Sequence, residues 1–300
     1  MTMRTSIASN LRPLSRALYA FLIAIAALSA TPRNAGAQLY VTQGSTGGIV
    51  SKYNATTGAL IKFHFIINLN GPSALALSGN DLFVAAVGGN KVGEYNATTG
   101  AAINAHLITH LHGPFLGLVL NTSGKHLFVS NSSGGTNSVG EYNATTGAPI
   151  KASLITGLDE PEGLAFMGPT ASFSDPILFV ANFGNNTVGK YDAKTGIALN
   201  ASFITRLRSP SGLALYGNTL FVANFDTGTV DAYDATSGSV IVAGFITGLH
   251  SPAGLALLGN ILFVANETGG TVGKYNATNG ASINPSFITG LITPVGVAVK

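Results

Sequence analysis

The chain has 300 residues, 46% hydrophobic and only 9% charged, with 38 glycines, no cysteine and a formal charge of +3. Without cysteine it has no disulfide, no thiolate metal ligand and no cysteine nucleophile. Arg4, Arg12, Arg16 and Arg33 all precede residue 38, and the remainder carries 11 Lys+Arg against 12 Asp+Glu, a net of −1, which leaves no basic surface for nucleic acid.

Residues 1–37 read as a secretory signal: a basic start, an apolar stretch over 17–30, and Ala35-Gly36-Ala37 as an A-x-A cleavage site. The apolar stretch is 14 residues long, short of the ~20 that a spanning helix needs. Cleavage is expected after Ala37, with Ala30 as the second site and an uncleaved anchor as the competing reading. The mature chain, 38–300, is then a single exported domain (periplasmic or extracellular) with no membrane span.

From residue 38 onward the sequence repeats. Tyr recurs at 53, 95, 142, 191, 233 and 275, at intervals of 42, 47, 49, 42 and 42. Within a unit the pattern is Pro-x-Gly-Leu-Ala-Leu, a short turn, Leu-Phe-Val-Ala-Asn, a polar loop, Val-x-x-Tyr-Asn/Asp-Ala-Thr-x-Gly, then Phe/Leu-Ile-Thr. Each apolar run is strand-length and bounded by Gly, Asn or Pro, giving four strands per unit. Runs such as Leu220-Phe221-Val222-Ala223 are apolar at consecutive positions, so both faces of each sheet are buried. Four-stranded units of this length, covered on both sides by their neighbours, predict propeller blades; a capped solenoid is the rival.

The ends favour the ring. Gln38-Leu39-Tyr40-Val41 is a second strand without a first, and residues 294–299 are a first strand without a second. Pairing them completes one blade and yields a closed, complete, all-β six-bladed propeller with four antiparallel strands per blade.

YNATTGA occurs at 53–59, 95–101 and 142–148, and reappears as YDAKTG at 191–196 and YDATSG at 233–238. A glycan acceptor does not survive the change of Asn to Asp, whereas an Asx turn does. The Asn-x-Ser/Thr triplets of this motif, at Asn54, Asn96, Asn143 and Asn276 among nine in the chain, are therefore by-products of a turn between the third and fourth strands, with Gly in the left-handed position.

On these motifs the chain resembles the six-bladed propellers of the NHL, YVTN and gluconolactonase-like (SMP-30-like, TolB-like) type, over essentially all of 38–300. The resemblance implies the fold, and it implies that the inter-blade loops share one face with the loops between second and third strands. Activity is not implied, since such propellers bind proteins, glycans or metals, and some hydrolyse lactones. In the metal-dependent members a central divalent cation is held by carboxylates and amides, often by an Asn after the Pro of the first strand. Here those positions are Ser73, Phe115, Glu162, Ser211, Ala253 and Val295, so only Glu162 matches in chemistry.

Three sets of residues stand out where the units differ. The inter-blade loops NLNGP, HLHGP, GLDEP, RLRSP, GLHSP and GLITP carry His110, His112, Asp159, Glu160, Arg206, Arg208 and His250. That concentration is either a binding rim or solvent-facing charge tolerated in loops. Asn131, Asn182, Asn224 and Asn266 end second strands; they are either an amide ring around the channel or caps on the next loop. Glu162, Asp226 and Glu267 are the carboxylates available to an oxygen-ligand site for a divalent cation such as calcium. His106, His110 and His112 do not make a zinc site, because His106 and His110 lie about 13 Å apart along a strand. No G-x-S-x-G, H-E-x-x-H or phosphate loop is present. The expected function is a non-catalytic scaffold binding protein or carbohydrate through its loop rim, without a required cofactor. The alternatives are a metal-dependent lactonase-like hydrolase and a structural envelope or matrix protein. Insertions at 168–176 and at 131–138 are further candidate partner contacts.

Overall fold

The computed structural model describes residues 36–44, 47–170 and 174–300. The expected signal, apart from its last two residues, lies outside the described residues, as do positions 171–173 of the long 168–176 connection. Among the described residues all regular structure is strand, in six four-stranded antiparallel sheets. No helix among the described residues is long and apolar enough to cross a membrane.

The first blade is composite, with strand order Val297–Val299, Gln38–Gln43, Gly48–Asn54, Leu60–Leu69. Blades two to six follow in chain order, and their inner strands are Pro72–Ser78, Leu118–Leu120, Pro161–Met167, Pro210–Tyr216 and Pro252–Leu258. The six-bladed propeller predicted from the repeat is thus the fold. Second strands are buried on both faces, as their unbroken apolar runs require: Leu220, Phe221, Val222 and Ala223 are all fully buried.

Two inner strands depart from expectation. The closing strand pairs only over Val297–Val299 rather than 294–299. At Gly296 one backbone bond persists, Thr42 N to Gly296 O at 2.9 Å, while the Thr42 hydroxyl accepts the Gly296 N–H at 2.7 Å. In the third blade, Pro114-Phe115-Leu116-Gly117-Leu118 has one residue more than Pro-x-Gly-Leu. Leu116 takes φ +53°, and the strand that follows is cut to Leu118–Leu120.

The inner strands enclose a channel walled by Leu75, Leu118, Leu164, Leu213, Leu255 and Val297. Glycine lets them approach. A Cβ on Gly163, Gly212, Gly254 or Gly296 would strike the backbone carbonyl of Ser211, Ala253, Val295 or Ser73 on the next blade. The second blade has Ala74 at this position, opposite the third blade with its extra residue.

The repeated turn has a second role beyond reversing the chain. The Oδ1 atoms of Asn54, Asn96, Asn143, Asp192 and Asp234 each accept two backbone N–H groups at 2.7–3.0 Å, the Asx turn expected from the swap. Its glycine takes φ between 72° and 79° in all six blades. The space where a side chain would grow is filled by a fourth-strand carbonyl of the preceding blade, for example Phe65 O at Gly100 and Leu107 O at Gly147. The turn therefore docks each blade onto its neighbour.

Candidate functional site at the loop rim and channel mouth

Backbone hydrogen bonds tie each inter-blade loop to the loop between the second and third strands. Leu111 N donates to Asn90 O, Leu249 N to Gly228 O and Leu291 N to Gly270 O, each at 3.0 Å, while Val87 N, Phe183 N and Phe225 N donate to Gly71 O, Glu160 O and Ser209 O. Both loop sets therefore lie on one face. The central leucine of every inter-blade loop is buried, and the residues on either side of it point outward.

All six loops share one backbone conformation. The first residues (Asn68, His110, Gly157, Arg206, Gly248, Gly290) and the fourth (Gly71, Gly113, Glu160, Ser209, Ser251, Thr293) have φ between 40° and 73°. That region favours glycine, yet His110, Arg206 and Glu160 occupy it with exposed side chains. His112, Arg208 and His250 are also exposed, and Asp159 is half-buried.

Three of the four asparagines bind these loops, while Asn266 Oδ1 is buried without a hydrogen-bond partner. Asn131 Oδ1 accepts the His112 N–H at 3.0 Å, Asn224 Oδ1 that of Arg208 at 3.3 Å, and Asn182 Oδ1 that of Asp159 at a long 3.5 Å. The amide groups of Asn182, Asn224 and Asn266 donate to Thr187, Thr229 and Thr271. Gln43 does the same work in the first blade, accepting from Ile292 N at 3.2 Å. At Asn131, Asn182 and Asn224 these bonds are those of a loop cap, and the channel wall is made by five leucines and Val297.

Of the residues that follow these strand ends, Gly44, Val87 and Glu267 line one cavity, and the equivalent positions of the other blades are Ser132, Phe183 and Phe225. The Phe183 and Phe225 rings meet edge-on with centroids 6.1 Å apart. A mouth cavity of about 420 Å³ is bounded by Val87, Phe115, Val295, Glu267 and the backbone of the second blade's entry loop. Glu267 was among the candidate carboxylates of the sequence, whereas Phe183 and Phe225 were missed. Their signal was the single varying position after Leu-Phe-Val-Ala-Asn.

Glu162 is buried, and its carboxyl pKa is pushed up to about 8, first by burial and then by the nearby Glu267 and Glu160 carboxylates. Burial also raises Glu267. Asp226 is exposed, and its Oδ2 accepts a hydrogen bond from Ser209 Oγ at 2.6 Å. Among the described residues, no group of three or more His, Cys, Asp or Glu is placed to hold a metal ion. His106 and His110 are engaged separately, with Lys91 Nζ and Thr109 Oγ1.

No protein-family model and no curated protein sequence matches the chain. Among solved structures it is similar to a chain in a crystal structure of a nidogen/laminin complex. That likeness has a TM-score of 0.69 at 15% identity and covers 88% of this chain and 98% of the other. At that identity the likeness is one of fold.

Proposed function

We propose that the protein is an exported, non-catalytic β-propeller scaffold that binds a protein or carbohydrate ligand through its loop rim. One observation carries this reading: six loops that share left-handed φ at the same two positions, and recurring backbone hydrogen bonds, present six different sets of side chains on one face. A rigid frame with variable loops is how propellers and other closed β folds display binding surfaces. The charged residues held at left-handed φ point the same way, because the frame itself accepts glycine there. The solved structure of similar fold comes from a complex between proteins, which accords with this use of the fold.

The test exploits the internal repeat. His110→Gly and Arg206→Gly together copy the first residue of GLDEP, GLHSP and GLITP, and Glu160→Gly copies the fourth residue of NLNGP and HLHGP. The triple variant is expected to keep its melting temperature, or gain up to about 1 kcal/mol per site from relieved backbone strain. Glycan arrays and affinity capture with purified candidate proteins should then give ligands of the natural protein that the variant has lost. Ligands retained equally by both proteins would remove the rim from the binding surface.

A further inference from the structure

Between neighbouring blades, on the face opposite the rim, a recurring arrangement holds an ammonium group. Lys52 Nζ donates to Ala97 O at 3.0 Å and Thr98 O at 3.4 Å in the turn of the next blade. Lys190 Nζ donates to Ala235 O and Thr236 O at 3.2 and 3.0 Å. Lys274 Nζ donates to Ala55 O and Thr56 O at 3.2 and 3.3 Å. Each ammonium also lies 4.7 Å from the centroid of a fourth-strand ring, Phe65, Phe203 or Phe287, in cation–π geometry. The blades thus define an ammonium socket of two carbonyls and an aromatic wall.

The junction between the third and fourth blades has the socket without the lysine. Glu141 stands where Lys52, Lys190 and Lys274 stand, and Leu154 replaces the phenylalanine. The turn carbonyls there belong to Ala193 and Lys194. A cavity of about 310 Å³ opens between Glu141, His126, Phe128, Phe166, Ala193 and Lys194, at the lower end of small-molecule pocket sizes. Phe128 and Phe166 stack with centroids 5.6 Å apart. The buried Glu141 carboxylate, 8% exposed, is held by His126 Nδ1 at 2.6 Å through one oxygen. Lys151, exposed on the outer strand, reaches Lys194 O only at 3.4 Å.

We propose that this cavity binds a primary alkylammonium group. Its nitrogen would take the place that lysine Nζ takes at three other junctions, with the Glu141 carboxylate added to the turn carbonyls and its alkyl chain against Phe128 and Phe166. A charge-assisted contact to a desolvated carboxylate strengthens such a bond. Lys151 is the competing cation, and its long, exposed contact leaves it free to swing into solvent. The same chemistry is offered by a free amine and by a lysine side chain of a partner.

The test is calorimetric titration of the protein with n-butylammonium and, separately, with a short acetylated and amidated peptide bearing one lysine. Saturable binding of either probe is expected. Glu141→Gln should weaken it about tenfold or more, and Lys151→Ala should tighten it several-fold. Glu141→Lys combined with Leu154→Phe rebuilds the socket already filled in three junctions, so it should fold with an unchanged or higher melting temperature and bind neither probe. Binding by the free amine identifies a small-molecule site, and binding by the peptide alone identifies a partner's lysine. No saturable binding by either the natural protein or Lys151→Ala overturns the proposal, as does undiminished binding by the refilled variant.

Discussion

Glu162 illustrates how one residue's setting decides its chemistry. Its position after Pro161 is where the family resemblance places a metal ligand, but burial raises its carboxyl from the usual 4.5 to about 8. A group whose folded pKa exceeds its unfolded value adds stability that is fully present below about 4.5 and lost as pH rises through about 8. Glu162→Gln keeps the shape and removes the titration. Wild type is expected to lose stability relative to this variant from pH 5 to pH 8.5, ending about 1–3 kcal/mol below it. Parallel melting curves across that range in the two proteins would detect it, and parallel pH profiles would mean that the carboxyl is solvated. Nothing in the sequence marked this shift, because it arises first from burial in the folded ring and then from carboxylates that include Glu267 on another blade. The Asx turn was legible for the opposite reason: Asn54 or Asp192, the turn N–H groups and the glycine all lie within five residues of one another. Lys52, Lys190 and Lys274 look like ordinary strand residues in the sequence, since the carbonyls they hold belong to the next blade.

At the scale of elements, the strands obey composition and the contacts between them obey geometry. The four strands per blade followed from apolar runs bounded by turn residues, and the structure places them there. The inserted Leu116 was visible as Pro-Phe-Leu-Gly-Leu against Pro-Ser-Gly-Leu, but its effect needs the neighbouring inner strand to be understood. Inner strands approach each other so closely that Gly212 has the Ala253 carbonyl where its side chain would begin. Gly212→Ala must push two backbones apart around the channel. A loss of about 1–3 kcal/mol is expected, read as a fall in melting temperature of about 2–4 °C per kcal/mol for a domain of this size. Ala74, in the equivalent place beside the third blade, is tolerated where that blade carries its extra residue. If Gly212→Ala melts like wild type, the channel wall has more slack than these contacts imply, and the glycines there are not required by packing.

For the whole molecule, the decisive interaction is the one that joins the two ends of the described chain. Val297–Val299 completes the first blade against Gln38–Gln43, and the pairing continues in backbone bonds from Gln38 N to Lys300 O at 2.7 Å and from Lys300 N to Gln38 O at 3.0 Å. This strand also supplies Val297 to the channel wall and the Val295 carbonyl that accepts from Gly254 N at 2.9 Å. Removing residues 294–300 therefore exposes the edge of the second strand and breaks contacts with both neighbouring blades. Because the ends lie a hydrogen bond apart, a short glycine linker between Lys300 and Gln38 should close the ring covalently. The chain can then be reopened at the exposed turn of Gly217 and Asn218. This permutant is expected to melt cooperatively close to wild type, whereas the truncated chain should lose a sharp transition or aggregate. Only a propeller whose stability depends on closing the ring separates the two in this way; in an open stack of blades, deleting one terminal strand would cost little more than that strand. A truncated chain that melts like the permutant would assign stability to the blades individually and make the terminal pairing dispensable.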